Sequence, residues 1–473
     1  MLRKLGVAGL SLLSFLLLGA SARAEMTLAK GGDGWEVYST GRLGVFVEAL
    51  KGDGVPVVYG PTFDASGMPV VDPVTGAPVL VQIHPAGDGG ISVQSDPVRQ
   101  PDATCGGNPP CYRQGPVFAS RVRSGFLGNI LAFGVRRHLT EWTTLTGHIA
   151  VWGTTETVER RTYVPNWPDM REAYVRVDGP GGTLTAGRAL SLFSRGAIEI
   201  NYMYGHAYAV GNPAGFDSQG PSAGHIGYGV LAPVFVAGVS YATPKFHGLQ
   251  LTAGYFDPAA FVGLYWTRTK FGRPEAEATY DAELGQIGKL HLFANGTWQR
   301  VYATDLPRHA EVYGVGGGGR IELGPFHLGF ATHSGQGLGV YYALNGSDAV
   351  VAQYTTQELR KFAGYYAQAQ LALGRFDINA GWGMTRVYSI DSDINANWCV
   401  TATMPGPCAG FDPTTMQPLK SFLKSQMGYS GVLVYHLLPN LHLALDYFLS
   451  DVKWQQGEQQ IVHAFNIGST LVW

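Results

Sequence analysis

Apolar and polar residues alternate with a period of two along most of the chain. LHLALDYFL sets Leu441, Leu443, Leu445, Tyr447 and Leu449 on one face, and His442, Ala444, Asp446 and Phe448 on the other. LHLFANGTW sets Leu290, Leu292, Ala294 and Trp298 against His291, Asn295 and Thr297. FDINAGWGM sets Phe376, Ile378, Trp382 and Met384 against Asp377, Asn379 and Thr385, and LQLTAGYF and FHLGFATH behave alike. Successive side chains of a strand point to opposite sides, so this period predicts strands with one apolar face. A soluble sandwich alternates too, and the connections decide between the two. Short ones fall at 136–141, 180–182, 243–248, 285–288, 323–325, 373–375 and 438–440. Long ones fall at 51–118, 156–169, 189–223, 258–272, 304–309, 336–356, 389–422 and 451–459. Turns alternating with long loops separate about sixteen strands, an even count that closes an antiparallel transmembrane barrel.

The last stretch, FNIGSTLVW, puts Phe465, Ile467, Leu471 and Trp473 on one parity, with Ser469 interrupting. Such a strand needs a neighbour on each side. It is predicted to pair with the first strand, 35–50, which leaves both termini on the short-turn, periplasmic side. A terminal aromatic behind alternating apolar residues also resembles the signal read by the outer-membrane assembly machinery.

Composition sharpens this reading. Charged residues are 14% of the chain and aromatics 12%, with 65 glycines. No segment offers the roughly 18 unbroken apolar residues of a spanning helix. Few charges, many glycines and no long apolar run fit an all-β membrane barrel, in which every backbone group pairs within the sheet. Residues 1–24 read as a secretory signal peptide: Arg3 and Lys4, an apolar run from Leu5 to Leu18, then the Ala22-Arg23-Ala24 exit. Residues 25–473 are then the barrel domain, with a net charge of −5 once Arg3, Lys4 and Arg23 are removed. Nothing there points to nucleic acid.

Candidate chemistry is sparse. GYSG at 428–431 lacks the spacing of a nucleophile elbow, and there is no H-E-x-x-H and no P-loop, so no enzyme activity and no cofactor are predicted. DSDINAN at 391–397 imitates the start of a calcium loop but lacks its glycine and its final acid. Cys105 lies near Cys111, and Cys399 near Cys408. Four cysteines allow three connectivities, and in an exported chain proximity favours these two small disulfide loops.

REAYVRVDGPGGTLTAGR (171–188) resembles a strand, Gly-rich turn and strand of the Gram-negative general diffusion porins. YATPKFHGLQLTAGYF (241–256) is similar to another hairpin of that family. The resemblance implies a trimeric, sixteen-stranded, water-filled pore whose third loop, 189–223, folds into the lumen. On the loop side of the constriction it places Arg195, Glu199, Tyr202, Tyr204, Tyr208 and Asp217. Parity turns Arg42 inward with Glu36 and Glu48, and Arg176 inward with Glu172, Tyr174 and Asp178, while Arg121 and Arg123 share a face. Arg188 falls on the outer parity with Leu184 and Ala186. The family places it in the lumen, and Gly187 is expected to host a bulge that turns it inward. Arg42, Arg121, Arg123, Arg176 and Arg188 then form a basic ladder facing the third loop, and the pore should lean modestly towards anions.

The function expected is passive diffusion of small hydrophilic solutes across the outer membrane. The partners expected are outer-membrane lipid and lipopolysaccharide, two sister subunits and the assembly machinery. Two alternatives stand beside it: a channel selective for a sugar or aromatic solute, with the loop aromatics as a stacking track, and a surface adhesion barrel working through its long first loop.

Overall fold

The computed structural model describes residues 25–54, 56–61, 71–74, 76, 80–84, 100–101, 111–113, 116–123, 129–153, 169–202, 225–259, 270–302, 309–344, 359–389, 398–400, 405–407, 417–418, 423–454 and 457–473. The segment 1–24 read as a signal peptide, the stretch 391–397, Cys105 and Cys408 lie outside them.

Sixteen strand positions close into one antiparallel barrel. β1 is Trp35–Gly52. β2 comes in two segments, Val117–Arg123 beside the upper half of β1 and Asn129–His138 beside its lower half. β3 is Thr144–Gly153, β4 Asp169–Gly179, β5 Gly182–Leu190, β6 Phe235–Ala242, β7 Leu249–Phe256 and β8 Arg273–Glu283. β9 is Lys289–Tyr302, β10 His309–Leu323, β11 Phe326–Gln336, β12 Lys361–Leu373, β13 Phe376–Tyr388, β14 Leu423–Leu438, β15 Leu441–Trp454 and β16 Gln459–Val472. Each pairs with the next, and β16 pairs with β1 from Val472 opposite Arg42 to Val462 opposite Gly52. Closure of this kind is what permits a sheet in a bilayer.

The period-two pattern decides the faces. Along β15 Leu443 and Leu445 are exposed outward, while His442, Ala444, Asp446 and Phe448 are buried inward. β9 and β13 keep the same assignment. Tight turns join the strands at one end. At the other, two connections differ from expectation, one in length and one in carrying strands. The link from β15 to β16 is the short segment between Trp454 and Gln459. The first loop carries a four-stranded sheet of its own, ordered Leu80–His84, Pro56–Pro61, Cys111–Arg113, Gln100–Pro101.

The chain ends inside the sheet. Trp473 exchanges two backbone hydrogen bonds with Gly41, N to O at 3.0 Å and O from N at 2.6 Å. A side chain at Gly41 would strike the indole, so glycine there lets Trp473 lie flat and approach Ser39. A short strand, Met26–Lys30, pairs with β1 from Ser39 to Glu36 and continues the β16 position below Trp473. Phe465, Ile467 and Leu471 face outward and are exposed.

The interior is not uniform. At the loop end the inward positions are apolar and fully buried: Leu50, Val301, Val312, Phe362, Val387 and Val462. They share one cluster with the loop residues Phe193, Tyr228, Leu231, Leu338, Val340 and Leu344. Loops folded into the barrel therefore give the upper wall its apolar partner.

Candidate functional site

The third loop leaves β5 at Leu190, and its base is closed by Ser191 N donating to Val234 O at 2.9 Å. Ser194 takes a left-handed backbone and starts a single turn of helix, α1, Arg195–Glu199. Between Leu192 and Tyr202 the loop is bonded at several points to inward side chains of β8, β10 and β12. The carboxylate of Glu275 on β8 accepts from Leu192 N and Phe193 N at 2.7 and 2.8 Å, and it pairs with Arg273 at 2.9 Å. Arg195 pairs with Glu277, two residues further along β8, and lies 3.8 Å from Glu199. Gln368 on β12 accepts from Tyr202 N at 2.8 Å and donates to Ile200 O at 2.5 Å. Arg320 on β10 donates to Glu199 O at 3.3 Å.

The returning half of the loop lies on β13–β15. Gly229 N donates to Thr385 Oγ1 at 2.9 Å, and Gln426 Nε2 donates to Gly227 O at 2.9 Å. His225 Nε2 is 2.6 Å from Ser430 Oγ, and Tyr228 Oη is 2.8 Å from Ser450 Oγ. Burial without a charge partner pushes the His225 imidazole down to about 3 and the Tyr228 phenol up. The wall is shaped to receive this backbone. A Cβ at Gly383 would strike Tyr228 O, and one at Gly314 would strike the Phe193 ring. A second inward segment, Gly337–Leu344 after β11, strengthens the hold: Ala232 N donates to Tyr341 O and Ala343 N to Ala232 O, both at 2.8 Å. The third loop thus folds inward as expected, and it is strapped to β8–β15.

Toward β1–β6 the contact is apolar: Leu50 and Phe46 of β1 and Trp152 of β3 share buried clusters with residues of the loop. Tyr38 Oη is 3.1 Å from His148 Nδ1, and His148 stacks on Tyr174 with ring centres 5.0 Å apart. Arg136 lies over Tyr38 at 4.5 Å and pairs with Glu36 at 3.3 Å. Near the loop end Arg171 pairs with Asp169 at 2.8 Å and covers Trp152 at 4.7 Å. Near the periplasmic end Arg176 pairs with Asp178 at 2.9 Å.

The residues singled out in the sequence separate accordingly. Arg42 is inward and buried on β1. Arg121 and Arg123 stand opposite Glu48 and Phe46 in the backbone ladder, and their side chains lie outside what the structure describes. Arg176 is inward but joined to Asp178. Arg188 is a correction. The ladders from β4 through β5 to β6 run without a shift, pairing Arg188 with Ala173 and Ala237, and its side chain is exposed on the outer face with Leu184 and Ala186. Gly187 does have a positive φ, but it relieves a close approach of Tyr174 rather than inserting a residue, so parity is kept. Arg195, Glu199 and Tyr202 sit in the anchored loop, whereas Tyr204, Tyr208 and Asp217 lie outside the described residues. Cys111 and Cys399 fall in the small strands Cys111–Arg113 and Trp398–Val400, and their expected partners lie outside the described residues.

The sequence reading missed Glu275, Glu277, Gln368 and Thr385. A signal existed in EAEA at 275–278, where two acids share the inward parity next to one strand base, Arg273, and call for donors from elsewhere.

The family profile described as Gram-negative porin matches residues 116–403. Among solved structures, the outer membrane channel DcaP of Acinetobacter baumannii is similar at a TM-score of 0.59 and 12% identity, over 95% of this chain and 100% of that one. The anion-selective porin from Comamonas acidovorans is similar at 0.52 and 11% identity, over 93% of this chain and 100% of that one. At these identities the likeness is one of fold. No curated protein sequence matches the chain.

Proposed function

The chain belongs to the Gram-negative porin family, and from that premise we propose that its solute path runs off the barrel axis, between the third loop and the β1–β6 wall, with only weak charge preference. It is an outer-membrane diffusion channel. One observation carries the proposal: the side-chain hydrogen bonds that hold Leu192–Tyr202 and His225–Gly229 go to β8–β15, which favours a path on the opposite side of the barrel. Small hydrophilic solutes pass by size, without turnover.

The modest anion lean expected from a basic ladder is revised. Arg188 leaves the lumen, Arg176 and Arg136 are matched by Asp178 and Glu36, Arg195 by Glu277, and position 121 stands opposite Glu48. Paired charges give a short-ranged field, so cations and anions should pass at similar rates. A track of loop aromatics is less well supported, because Phe193 and Tyr202 are buried in anchoring the loop.

Arg188 also bears on assembly. An arginine on the lipid face near the bilayer midplane costs about 2–4 kcal/mol. Its neighbours Ala173, Ala186 and Ala237 are small, so another barrel can approach closely and cover it. The assembly is a homotrimer joined through β3–β6, inserted by the assembly machinery that reads the β16 end. Planar-bilayer reconstitution tests the whole reading. Ohmic steps in groups of three, with a reversal potential near zero under a salt gradient, are expected. Silence would remove the channel, and a strong reversal potential would remove the weak preference.

A further inference from the structure

At the tight-turn end of the barrel two histidines face each other inside the wall. His436, two residues before the end of β14, and His442, the second residue of β15, stand directly opposite in the ladder. His442 is buried, and the His436 side chain is 19% exposed. Their Nδ1 atoms are 2.8 Å apart, and the rings are nearly perpendicular with centres 4.8 Å apart. On its other nitrogen His436 meets Asp377, the second residue of β13, with Nε2 2.8 Å from Oδ2. A carboxylate only accepts, so in neutral His436 the ring proton sits on Nε2 and Nδ1 presents its lone pair to His442. The backbone fixes the ring's position, since His436 N donates to Arg375 O at 2.8 Å and a bulge lies between His436 and Leu438. A carboxylate behind an imidazole, on the nitrogen that faces away from the other donor, is the arrangement that orients histidine ligands of metal ions.

The separation selects the ion. Two nitrogens bound at right angles to one ion, with bonds of about 2.0–2.1 Å, are about 2.8–3.0 Å apart, whereas tetrahedral zinc spreads them to about 3.3–3.4 Å. The observed 2.8 Å is therefore the adjacent-corner spacing of a tetragonal ion. Among divalent ions that take imidazole, that geometry belongs to copper(II) first and nickel(II) second. Turning each ring about its Cβ–Cγ bond, a soft torsion, brings both lone pairs onto one ion. Among the described residues no group of three or more His, Cys, Asp or Glu could hold an ion together. The pair supplies two ligands, and water fills the remaining positions. Arg42 and Asp377 are the charged residues that act on His442, one of each sign, so together they set no net repulsion against a cation.

We propose that His436 and His442 form a copper(II) site at the periplasmic mouth of the barrel, with Asp377 as the residue that positions His436. A bound ion ties β14 to β15 beside their tight turn. The site needs the closed barrel alone and is independent of where the solute path runs.

The test uses the full barrel without an affinity tag, refolded in chelator-treated detergent and titrated with copper(II). The chain has 13 histidines, so variants and not stoichiometry identify the site. In the parent the first equivalent of copper(II) should give a tetragonal electron paramagnetic resonance spectrum with two coupled nitrogens. In H436Q and in H442Q the affinity should fall about a hundredfold or more, and in D377N about 10–100-fold, the range for a residue that orients a metal ligand. H309Q removes an exposed histidine at the other end of the barrel and should bind like the parent. A single coupled nitrogen, equal affinity in H442Q and parent, or an equal loss in H309Q overturns the site. Unchanged affinity in D377N refutes the positioning role. Should the histidine variants fail to fold, the parent decides alone. Oxidation driven by the bound copper with ascorbate and oxygen should mark His436 and His442 before any other histidine, and first marks elsewhere refute the proposal.

Discussion

A single hydrogen atom in place of a side chain decides whether the third loop can lie on its wall. Gly383 faces inward where Tyr228 O arrives, and the pleat leaves no other room. Gly383→Val should lift the returning half of the loop, change single-channel conductance and increase open-channel noise, while the heat-modifiable barrel persists. Unchanged current traces would show that the contact is dispensable. His225 sets a pH limit on the same anchor. Its native imidazole stays neutral down to about pH 3, whereas an exposed histidine takes a proton near 6.5. The unfolded state therefore binds more protons between those values. The stability of the seated loop is constant above about pH 6.5 and falls by about 1.4 kcal/mol per pH unit as pH drops towards 3. Conductance noise should rise on acidification across that window, and His225→Gln should flatten the response. Arg188 gives the opposite test. Arg188→Ala should leave the reversal potential unchanged, because the side chain is outside the barrel. A selectivity change would return it to the lumen.

Among the elements, the strands were the most legible part of the sequence and the inward loops the least. Strand faces follow from alternation alone, because lipid penalises any polar residue on the wrong parity. LHLALDYFL and FDINAGWGM were read residue for residue. The strand Met26–Lys30 was not, since MTLAK is short and its turn depends on a left-handed Asp33 that no local pattern announces. Nor was the inward path of Gly337–Leu344, whose apolar character is explained only by the buried wall it meets. The anchors Glu275 and Gln368 lie in strands far from the loop in sequence, so spacing could not connect them to it. The family resemblance placed the loop inside, but the residues that hold it needed the register. Glu275→Gln should weaken two charge-assisted bonds of about 1.5–3 kcal/mol each and loosen the start of the loop, read as a wider spread of single-channel conductances. Deleting Trp473 should remove both backbone bonds to Gly41 and lower the yield of heat-modifiable barrel. Normal yield would argue that β16 closes without its last residue.

At the scale of the whole molecule, charge is arranged as neighbouring pairs and not as opposing walls. Arg176→Glu tests this directly. It would leave two acids, at positions 176 and 178, on the clear side of the lumen and should shift the reversal potential towards cations. No shift would place the ion path away from β4. The strapped loop has one more consequence, and it is mechanical. From β8 to β15 the outer sheet carries an inner lining hydrogen-bonded to it, while on the thin side, β1 to β6, that lining is met by the apolar side chains of Leu50, Phe46 and Trp152. A tube that is stiff on one side and compliant on the other ovalises along a fixed axis when squeezed. Changes in lateral membrane pressure should therefore move the thin side towards the lining, so that this pore acts less like a rigid sieve than like a slot with one moving jaw.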